Sequence, residues 1–307
     1  MSVIQELKKK INRNSKVLNV SHFDMDGGGC SIVLKNVFKN IEFIPVKYGS
    51  VDETCRKIDF EKYDIVIMTD VSPESIETFN LSNKFILIDH HDTSTHLNSE
   101  KDLRFVIPGK SASILVKEFF ETLFKIDLSY LNKLCNIINN YDLWITNEDW
   151  DVSWSFNELY FKMYHHDFVN RFSNGDIKMN EDEIKYIKDR KKLLREVYDN
   201  LNIYELDSIK ACFFIENRFV NDICHKLMEE KDYKVTICIN SKSKTCSVRS
   251  KLESLHIGEM LRQIDLGCHS GGHQKSGAFR LSDKMNISEQ IDRIEKYLFW
   301  KYEECKR

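Results

Sequence analysis

The sequence predicts an α/β protein: a doubly wound, mainly parallel sheet in the N-terminal part, then a connecting helix and a smaller α/β domain. Three short apolar runs rich in β-branched residues support the sheet: residues 17–20, 65–69 and 85–88. Such runs are typical of strands buried on both faces of a parallel sheet. Helical patterns alternate with them, which favours crossover connections. We expect boundaries at residues 1–178, 179–206 and 207–307.

Composition indicates a folded globular chain. The 307 residues are 42% hydrophobic and 30% charged, which is enough for two domains with ordinary cores. The net charge of -3 argues against a generally basic nucleic-acid coat, although a local basic groove stays open. No apolar run has the length of a membrane span and the N-terminus lacks the apolar centre of a secretory signal, so we expect a cytoplasmic protein without a membrane partner.

Cysteine usage agrees with that compartment. The nine cysteines are odd in number and form no CxxC pair. This pattern indicates neither a disulfide framework nor a thiolate zinc site, and predicts reduced, buried thiols.

The N-terminal domain is predicted to begin with an amphipathic helix, followed by the strand over residues 17–21. Gly27-Gly28-Gly29 then precede a helix over residues 30–38. These glycines either form a tight turn or let backbone amides approach an anion. The next elements are expected in this order: a strand over 41–46, a helix over 51–58, the strand over 65–69, a helix start at Ser72-Pro73-Glu74 and the strand over 85–88.

Helical patterns follow the last of these strands. Ser111-Ala112-Ser113 open a helix through residue 124, where capping is favoured over presenting a hydroxyl to a site. A second helical spacing begins at residue 128 and ends near Asp142. The aromatic residues over 144–164 are expected to form core rather than a base-stacking surface. For His165-His166-Asp167, a solvated helix face is favoured over a second metal site.

The C-terminal part starts with a highly charged connecting helix over residues 180–202. Strands are predicted over 210–216, 235–240, 245–249 and 277–281, a glycine and histidine loop over 267–273, and a closing helix over 287–300. Arg249 offers a planar fork for phosphate, and Gly271 and Gly272 offer amides beside His273. A structural glycine turn with a surface arginine explains the same pattern equally well.

Acidic and imidazole residues follow the three apolar runs. His22, Asp24 and Asp26 are spaced by two, so their side chains point to one side if the strand continues. Asp70 and Asp89-His90-His91 end the next two runs, and ligands in open α/β sheets bind beyond such carboxyl ends. Because carboxylates this close repel one another, the arrangement favours a site for two metal ions.

These motifs resemble those of a known family. HFDMDG, Asp70 and the Asp89-His90-His91 triplet resemble the DHH phosphoesterase superfamily, and Ser247-Val248-Arg249-Ser250 with the loop after residue 269 resembles its DHHA1 domain. Within the superfamily, the chain is most similar to the nano-RNases of the oligoribonuclease B type. Ser270 and Ser276-Gly277-Ala278 depart from the family loop, which affects the expected fit of substrate.

The resemblance implies roles for individual residues. His22, Asp24 and Asp70 would hold one metal ion, and Asp26, Asp70, His90 and Asp142 the other. Asp89 would orient the histidines and His91 would contact the phosphate or its leaving oxygen. Arg249, Ser250, Gly271, Gly272 and His273 would bind substrate across an interdomain cleft. Imidazole and carboxylate ligands suit Mn²⁺, with Mg²⁺ as the alternative.

The expected function is hydrolysis of short oligoribonucleotides to nucleoside monophosphates by a two-metal phosphodiesterase. Alternatives are a phosphoesterase for cyclic dinucleotides or for 3′-phosphoadenosine phosphate, and a single-strand DNA exonuclease. A catalytically silent nucleotide-binding protein is the alternative from another class. The expected partner is short RNA or a small nucleotide. The sequence does not decide between a monomer and a homodimer.

Overall fold

The computed structural model describes Leu7 and residues 11–206, 209–264, 270–272, 274–282 and 286–305, with the backbone alone at 270, 271 and 305. The chain divides into two compact units, residues 1–189 and 190–307. The division falls inside a helix, Glu181–Asp199, in the region predicted to connect the two domains. The predicted first helix lies outside the described residues, apart from Leu7. Among the described residues, no helix has both the length and the apolar character needed to cross a bilayer.

The first unit contains a five-stranded sheet in which every pair of neighbouring strands is parallel, in the order β2-β1-β3-β4-β5. The strands are β1 Lys16–His22, β2 Asn40–Val46, β3 Ile65–Thr69, β4 Phe85–Asp89 and β5 Arg104–Val106. The predicted parallel sheet is therefore confirmed. Because β1, β3 and β4 are adjacent and parallel, their carboxyl ends lie side by side at one edge.

Helices and short 3-10 turns connect the strands. The helices are α1 Met25–Val37, α2 Val51–Arg56, α3 Ala112–Phe124, α4 Asn132–Asp142, α5 Trp150–Phe172 and α6 Glu181–Asp199. The connections after β3 and β4 contain the 3-10 turns Ile76–Leu81 and Asp92–Leu97. One apolar cluster on the sheet includes Leu18, Val20 and Met68, packed with Val51 and Cys55 of α2. All seven cysteines whose side chains are described are buried and free, as expected.

The glycine segment is helical, which corrects the prediction of a helix beginning at residue 30. Helix α1 starts at Met25, so Gly28 and Gly29 lie within it. A Cβ on Gly28 would stand 2.7 Å from the Tyr160 ring, and one on Gly29 would stand 2.6 Å from the Ile138 side chain. The glycines therefore permit close packing of α1, and this tertiary contact overrides their low helix propensity.

The predicted helix start at Ser72-Pro73-Glu74 is also wrong. The following 3-10 turn begins at Ile76, and the Ser75 hydroxyl accepts the Glu77 N–H at 3.2 Å. The Ser72 hydroxyl instead donates to Asp89 Oδ2 at 2.5 Å. Ser72 is therefore held by its hydrogen bond to Asp89, at the end of β4, and does not cap a helix.

Helix α5 carries the aromatic segment and corrects the expectation for His165. Tyr160 is fully buried, in agreement with the predicted core, but Tyr164 is kinked out of the helix with φ 62° and is exposed. His165, predicted on a solvated face, is 1% exposed. Its Nε2 lies 2.9 Å from the Ser31 hydroxyl and its Nδ1 lies 3.1 Å from the Tyr160 hydroxyl. The kink turns the histidine inward, while His166 remains exposed.

Burial of His165 predicts a pH dependence of stability. Burial, followed by repulsion from His166, lowers the pKa of His165 to about 4, against 6.5 for the free side chain. Between these values the unfolded chain binds a proton that the folded chain does not, so stability falls as pH falls from 6.5 to 4. The full effect is up to about 3 kcal/mol. Urea unfolding of the parent and of His165→Gln at pH 7.5, 6 and 5 should give a steeper loss for the parent; equal slopes would contradict the assignment.

The second unit has a six-stranded sheet in the order β10-β11-β9-β8-β7-β6. Among the described strands of this second sheet, β7 and β8 pair in parallel and the other neighbours are antiparallel. The elements are β6 Ile203–Leu206, β7 Ala211–Ile215, α7 Val220–Glu230, β8 Val235–Asn240, β9 Thr245–Ser250, α8 Ile257–Gln263, β10 Ser270–Gly272, β11 Ser276–Arg280 and α9 Ile287–Cys305. The unit is the predicted smaller α/β domain.

Part of the predicted loop over residues 267–273 is a strand. Residues 270–272 form β10, in which Gly272 pairs with Gly277. Gly272 has φ 144° and its α-carbon faces β11, where an added Cβ would stand 2.3 Å from the Ser276 carbonyl oxygen. Close contact between the two strands therefore explains this glycine. His273 lies outside the described residues.

Candidate metal centre

The first cluster of acids does not sit on one extended strand, which corrects the alternation argument. Strand β1 ends at His22, and Asp24 is the N-cap of α1, where its Oδ1 accepts the Gly27 N–H at 3.0 Å. Asp26 follows in the first turn of α1. The three side chains reach the same edge of the sheet because the chain turns from strand into helix within four residues.

Asp26 has a second structural role that the sequence did not indicate. Its two oxygens accept the backbone N–H groups of Ala112 at 2.6 Å and of Ser113 at 3.0 Å. It therefore caps α3, whereas the predicted cap Ser111 makes no capping hydrogen bond with its side chain. The buried carboxylate is held rigidly between two helix N-termini, where negative charge is favoured.

Asp70 stands at the end of β3, between the histidines. It has a positive φ of 59°, and its N–H donates to the Ile88 carbonyl at 3.1 Å. Its Oδ2 is 3.8 Å from His22 Nδ1 and its Oδ1 is 3.2 Å from His90 Nε2. A left-handed backbone at a non-glycine residue is uncommon and often marks a functional site. The turn aims this carboxylate along the edge of the sheet.

Asp142 reaches the same place from the last residue of α4. His90 Nε2 lies 3.4 Å from Asp142 Oδ2 and 3.9 Å from Asp26 Oδ2. Helix, strand end and helix N-terminus thus contribute one side chain each around the His90 imidazole.

These distances define two adjoining groups with the spacing that a metal ion needs. His22, Asp24 and Asp70 form one, and Asp26, His90 and Asp142 form the other; within each, the ligand atoms lie within 4.8 Å of one another. A third group with the same spacing overlaps both and consists of Asp70, Asp89, His90 and His91. Asp70 contacts His90 as well, so it stands between the two groups. The structure brings together all six residues predicted as ligands.

The carboxylates repel one another strongly. Burial raises the pKa of Asp70 well above its usual range, and repulsion from Asp24 and Asp26 raises it further. Burial also raises the pKa of Asp26, against the attraction of His90. The pKa of Asp142 rises to about 7, again through burial first and despite His90. Three of the four acids thus favour protonation without a cation.

The histidines partly compensate this charge. Burial acts to lower the pKa of His90, but attraction by Asp142 and Asp26 raises it above its ordinary value. For Asp24, burial acts to raise the pKa, but attraction and a 2.6 Å hydrogen bond from His22 Nδ1 lower it.

The residues fit divalent metal ions. Oδ2 of Asp70 and Oδ2 of Asp142 are buried and accept no hydrogen bond from any described residue. Buried carboxylate oxygens normally have a hydrogen-bond or metal partner. Imidazole and carboxylate donors suit Mn²⁺ and related ions. The cluster can therefore bind divalent metal.

Asp89 and His91 lie beside the two groups. Asp89 Oδ1 accepts the His90 N–H at 2.8 Å and lies 2.7 Å from His91 Nδ1. Attraction by His91 and its hydrogen bond outweigh burial and lower the pKa of Asp89. With Ser72 bonded to the other oxygen, Asp89 accepts from the His90 backbone and contacts the His91 ring. Its role in orienting the histidines stays a prediction.

Two further residues at this edge were missed from the sequence. Ser72 anchors Asp89, and the hydroxyl of Tyr48 forms a short hydrogen bond with His91 Nε2. A serine three residues after the β3 run was visible in the sequence, but it was assigned to a helix start. Tyr48 follows β2, whose end carries no acid, so no local signal selected it.

The candidate substrate residues lie in the second unit. The Arg249 guanidinium donates to Asn221 Oδ1 at 2.6 Å and to the Gly277 carbonyl at 3.2 Å. Ser250 is buried, and its hydroxyl accepts the Leu252 N–H at 3.0 Å. Their contact with substrate stays a prediction.

Comparisons with known proteins agree with this geometry. Residues 16–139 match the model for the DHH family, N-terminal domain. Oligoribonuclease NrnB of Bacillus subtilis is 24% identical, over 86% of this chain and 73% of that protein. A 3′,5′-cyclic-nucleotide phosphodiesterase of Helicobacter pylori is 25% identical over 160 residues, 43% of this chain and 44% of the relative's length.

The fold is shared with a solved exonuclease. RecJ of Thermus thermophilus, in complex with Mn²⁺, superposes with a TM-score of 0.60 at 13% identity, over 96% of this chain and 54% of RecJ. The family match begins at the start of β1 and ends within α4, so it contains the ends of β1, β3 and β4. By these findings residues 16–139 match a DHH family N-terminal domain, and the chain is similar to DHH-family phosphoesterases.

Proposed function

We propose that this protein, a metal-dependent phosphoesterase, hydrolyses short oligoribonucleotides to nucleoside monophosphates at a centre for two divalent ions. The observation that carries the proposal is the pair of adjoining ligand groups with Asp70 between them. The six residues fall into two groups of three, each with its own set of converging ligand atoms, as two ions a few ångströms apart would require.

Each group would hold one ion. His22, Asp24 and Asp70 would bind the first, and Asp26, Asp70, His90 and Asp142 the second. When bound, such ions act as Lewis acids and lower the pKa of a bound water, and Mn²⁺ suits this donor set best. Asp26 and Asp24 would contribute a rigid geometry, because both carboxylates are also fixed by backbone N–H groups.

His91 would serve the reaction itself. Asp89 accepts from its Nδ1, and its Nε2, which contacts the Tyr48 hydroxyl, is the atom that would contact the phosphate or the leaving oxygen. Protonated at both nitrogens, the imidazolium would give its Nε2 proton to a leaving alkoxide and keep the Nδ1 proton bonded to Asp89.

Short RNA is proposed as substrate because the relative aligned over most of this chain is named an oligoribonuclease. Arg249, Ser250, Gly271, Gly272 and His273 would bind the substrate, and Arg249 suits a phosphate through its planar fork. The alternatives named from the sequence remain candidates, and the phosphodiesterase from Helicobacter pylori favours testing cyclic nucleotides. A cytoplasmic location and a homodimer stay predictions.

A substrate panel tests this proposal. With Mn²⁺, the protein should convert RNA of two to five nucleotides to monophosphates faster than it degrades a 24-nucleotide RNA, in a chromatographic assay. The panel should include 3′-phosphoadenosine phosphate, cyclic dinucleotides and single-stranded DNA of matched length. Equal turnover of long and short RNA would contradict the length preference, and faster turnover of a cyclic dinucleotide would replace the substrate.

A further inference from the structure

Tyr48 is placed against both histidine-bearing parts of the centre, although it lies in the loop after β2. Its ring centroid is 4.1 Å from that of His22 and 5.5 Å from that of His91, nearly perpendicular to the latter at 85°. Its hydroxyl makes a short hydrogen bond with His91 Nε2. Tyr48 therefore packs on the candidate ligand His22 and is hydrogen-bonded to the candidate proton donor His91.

Exposure distinguishes Tyr48 from a core residue. It is 57% exposed, whereas Asp70, Asp89 and His90 beside it are at most 2% exposed. Tyr48 therefore lies at the boundary of the centre, partly in solvent, with its hydroxyl turned inward to His91 Nε2.

The hydrogen-bond roles follow from Asp89. Its Oδ1 accepts the His90 N–H and its Oδ2 accepts the Ser72 hydroxyl, so Asp89 is an acceptor and the His91 Nδ1 carries the proton in their 2.7 Å contact. In the neutral imidazole the Nε2 then carries a lone pair, which the Tyr48 O–H donates to. The ring is held at both nitrogens, which fixes its tautomer and its plane.

We propose that Tyr48 is a positioning residue for His91. Before substrate arrives, its hydroxyl donates to the Nε2 lone pair of the neutral ring and holds the plane of the ring. In the complex, the ring would carry a second proton at Nε2 and give that proton to the leaving oxygen, which takes the place of the Tyr48 hydroxyl. The inference rests on the proposed function, because His91 acts on the leaving oxygen there. Preorganisation of this kind lowers the cost of reaching the reactive geometry.

The variant Tyr48→Phe keeps both ring contacts and removes the hydroxyl. It should lower kcat/KM for a dinucleotide about tenfold, the size expected for one lost orienting hydrogen bond. The affinity for the monophosphate product should change less than about twofold, because that hydrogen bond orients His91 rather than binding substrate. The matched control is Tyr130→Phe, which removes the hydroxyl of a 49% exposed tyrosine that donates to Asn36 Oδ1 at 2.9 Å.

A second measurement does not depend on activity. Nitrogen-15 NMR of the histidine rings, with Mg²⁺ in place of paramagnetic Mn²⁺, reports the tautomer of His91 and the acceptor state of its Nε2. We expect the Nδ1–H tautomer in the parent, a shifted Nε2 resonance in Tyr48→Phe and no shift in Tyr130→Phe.

The outcomes separate the two proposals. Unchanged His91 resonances in Tyr48→Phe overturn the positioning role, whatever the activity. A parent-like kcat/KM in Tyr48→Phe overturns it as well. If the parent hydrolyses no member of the substrate panel, the proposed function fails, and the NMR comparison alone decides the role of Tyr48.

Discussion

Asp70→Asn should lower Mn²⁺-dependent hydrolysis of a dinucleotide by about 10³-fold or more. Asp70 lies within 3.8 Å of His22 and 3.2 Å of His90, so one carboxylate serves both ligand groups. An amide keeps the shape but loses the negative charge and one strong ligand oxygen. Stabilisation by such ions amounts to several kcal/mol, which corresponds to this factor. Steady-state turnover of parent and variant measures it.

Asp70→Asn should not destabilise the metal-free protein, although it lowers activity. Burial and repulsion from Asp24 and Asp26 raise the pKa of Asp70, so the charged form is unfavourable there. Asp70→Asn should therefore melt at the parent temperature or higher without metal, and gain less than the parent when Mn²⁺ is added. The control is Asp167→Asn at an exposed acid of α5. Parent-like hydrolysis by Asp70→Asn would show that Asp70 is not a shared ligand.

Removal of divalent metal is the second large effect. Chelation followed by desalting should reduce hydrolysis by more than about 100-fold, and added Mn²⁺ should restore it, because the bound ions would supply the activated water. Mn²⁺ at roughly 100 times its Kd should also raise the unfolding free energy by about 2.7 kcal/mol for each ion bound. Activity and urea unfolding on the same stripped sample test both statements.

The chelator needs its own control. Calcium-saturated chelator should leave the stripped protein inactive, so that recovery with Mn²⁺ is due to that ion. Full activity after chelation, with metal absent by mass spectrometry, would contradict a metal-dependent reaction.

The sheet and its acidic edge were predictable because their signals are local. The runs ending at His22, Asp70 and Asp89 are short, apolar and β-branched, and parallel strands bring such ends together. His22, Asp24 and Asp26 were predicted to face one side of a continued strand, and this is wrong. His22 lies on a strand, while Asp24 and Asp26 lie at a helix start. Two different backbone routes lead to the same edge.

The errors arose where tertiary contacts override local preference. Gly28 and Gly29 were predicted to precede the helix, but they lie within it, where they allow close packing against Tyr160 and Ile138. His165 lies in a polar stretch, yet the kink at Tyr164 buries it. No spacing in the sequence predicts either contact.

Local sequence patterns do not predict Asp142 and Tyr48 as residues of the site. Asp142 ends an ordinary amphipathic helix, and only the family resemblance selected it. No pattern in the sequence indicates Tyr48, because its proposed role depends on a hydrogen bond to His91, which lies 43 positions later.

The central claim is that the centre holds two ions, and counting bound Mn²⁺ tests it most directly. The stripped protein should be titrated with Mn²⁺ by isothermal calorimetry, and the bound metal counted by native mass spectrometry. Two ions per chain are predicted for the parent, with weaker binding at both sites in Asp70→Asn. One ion or none per parent chain at saturating Mn²⁺ would contradict the two-metal centre.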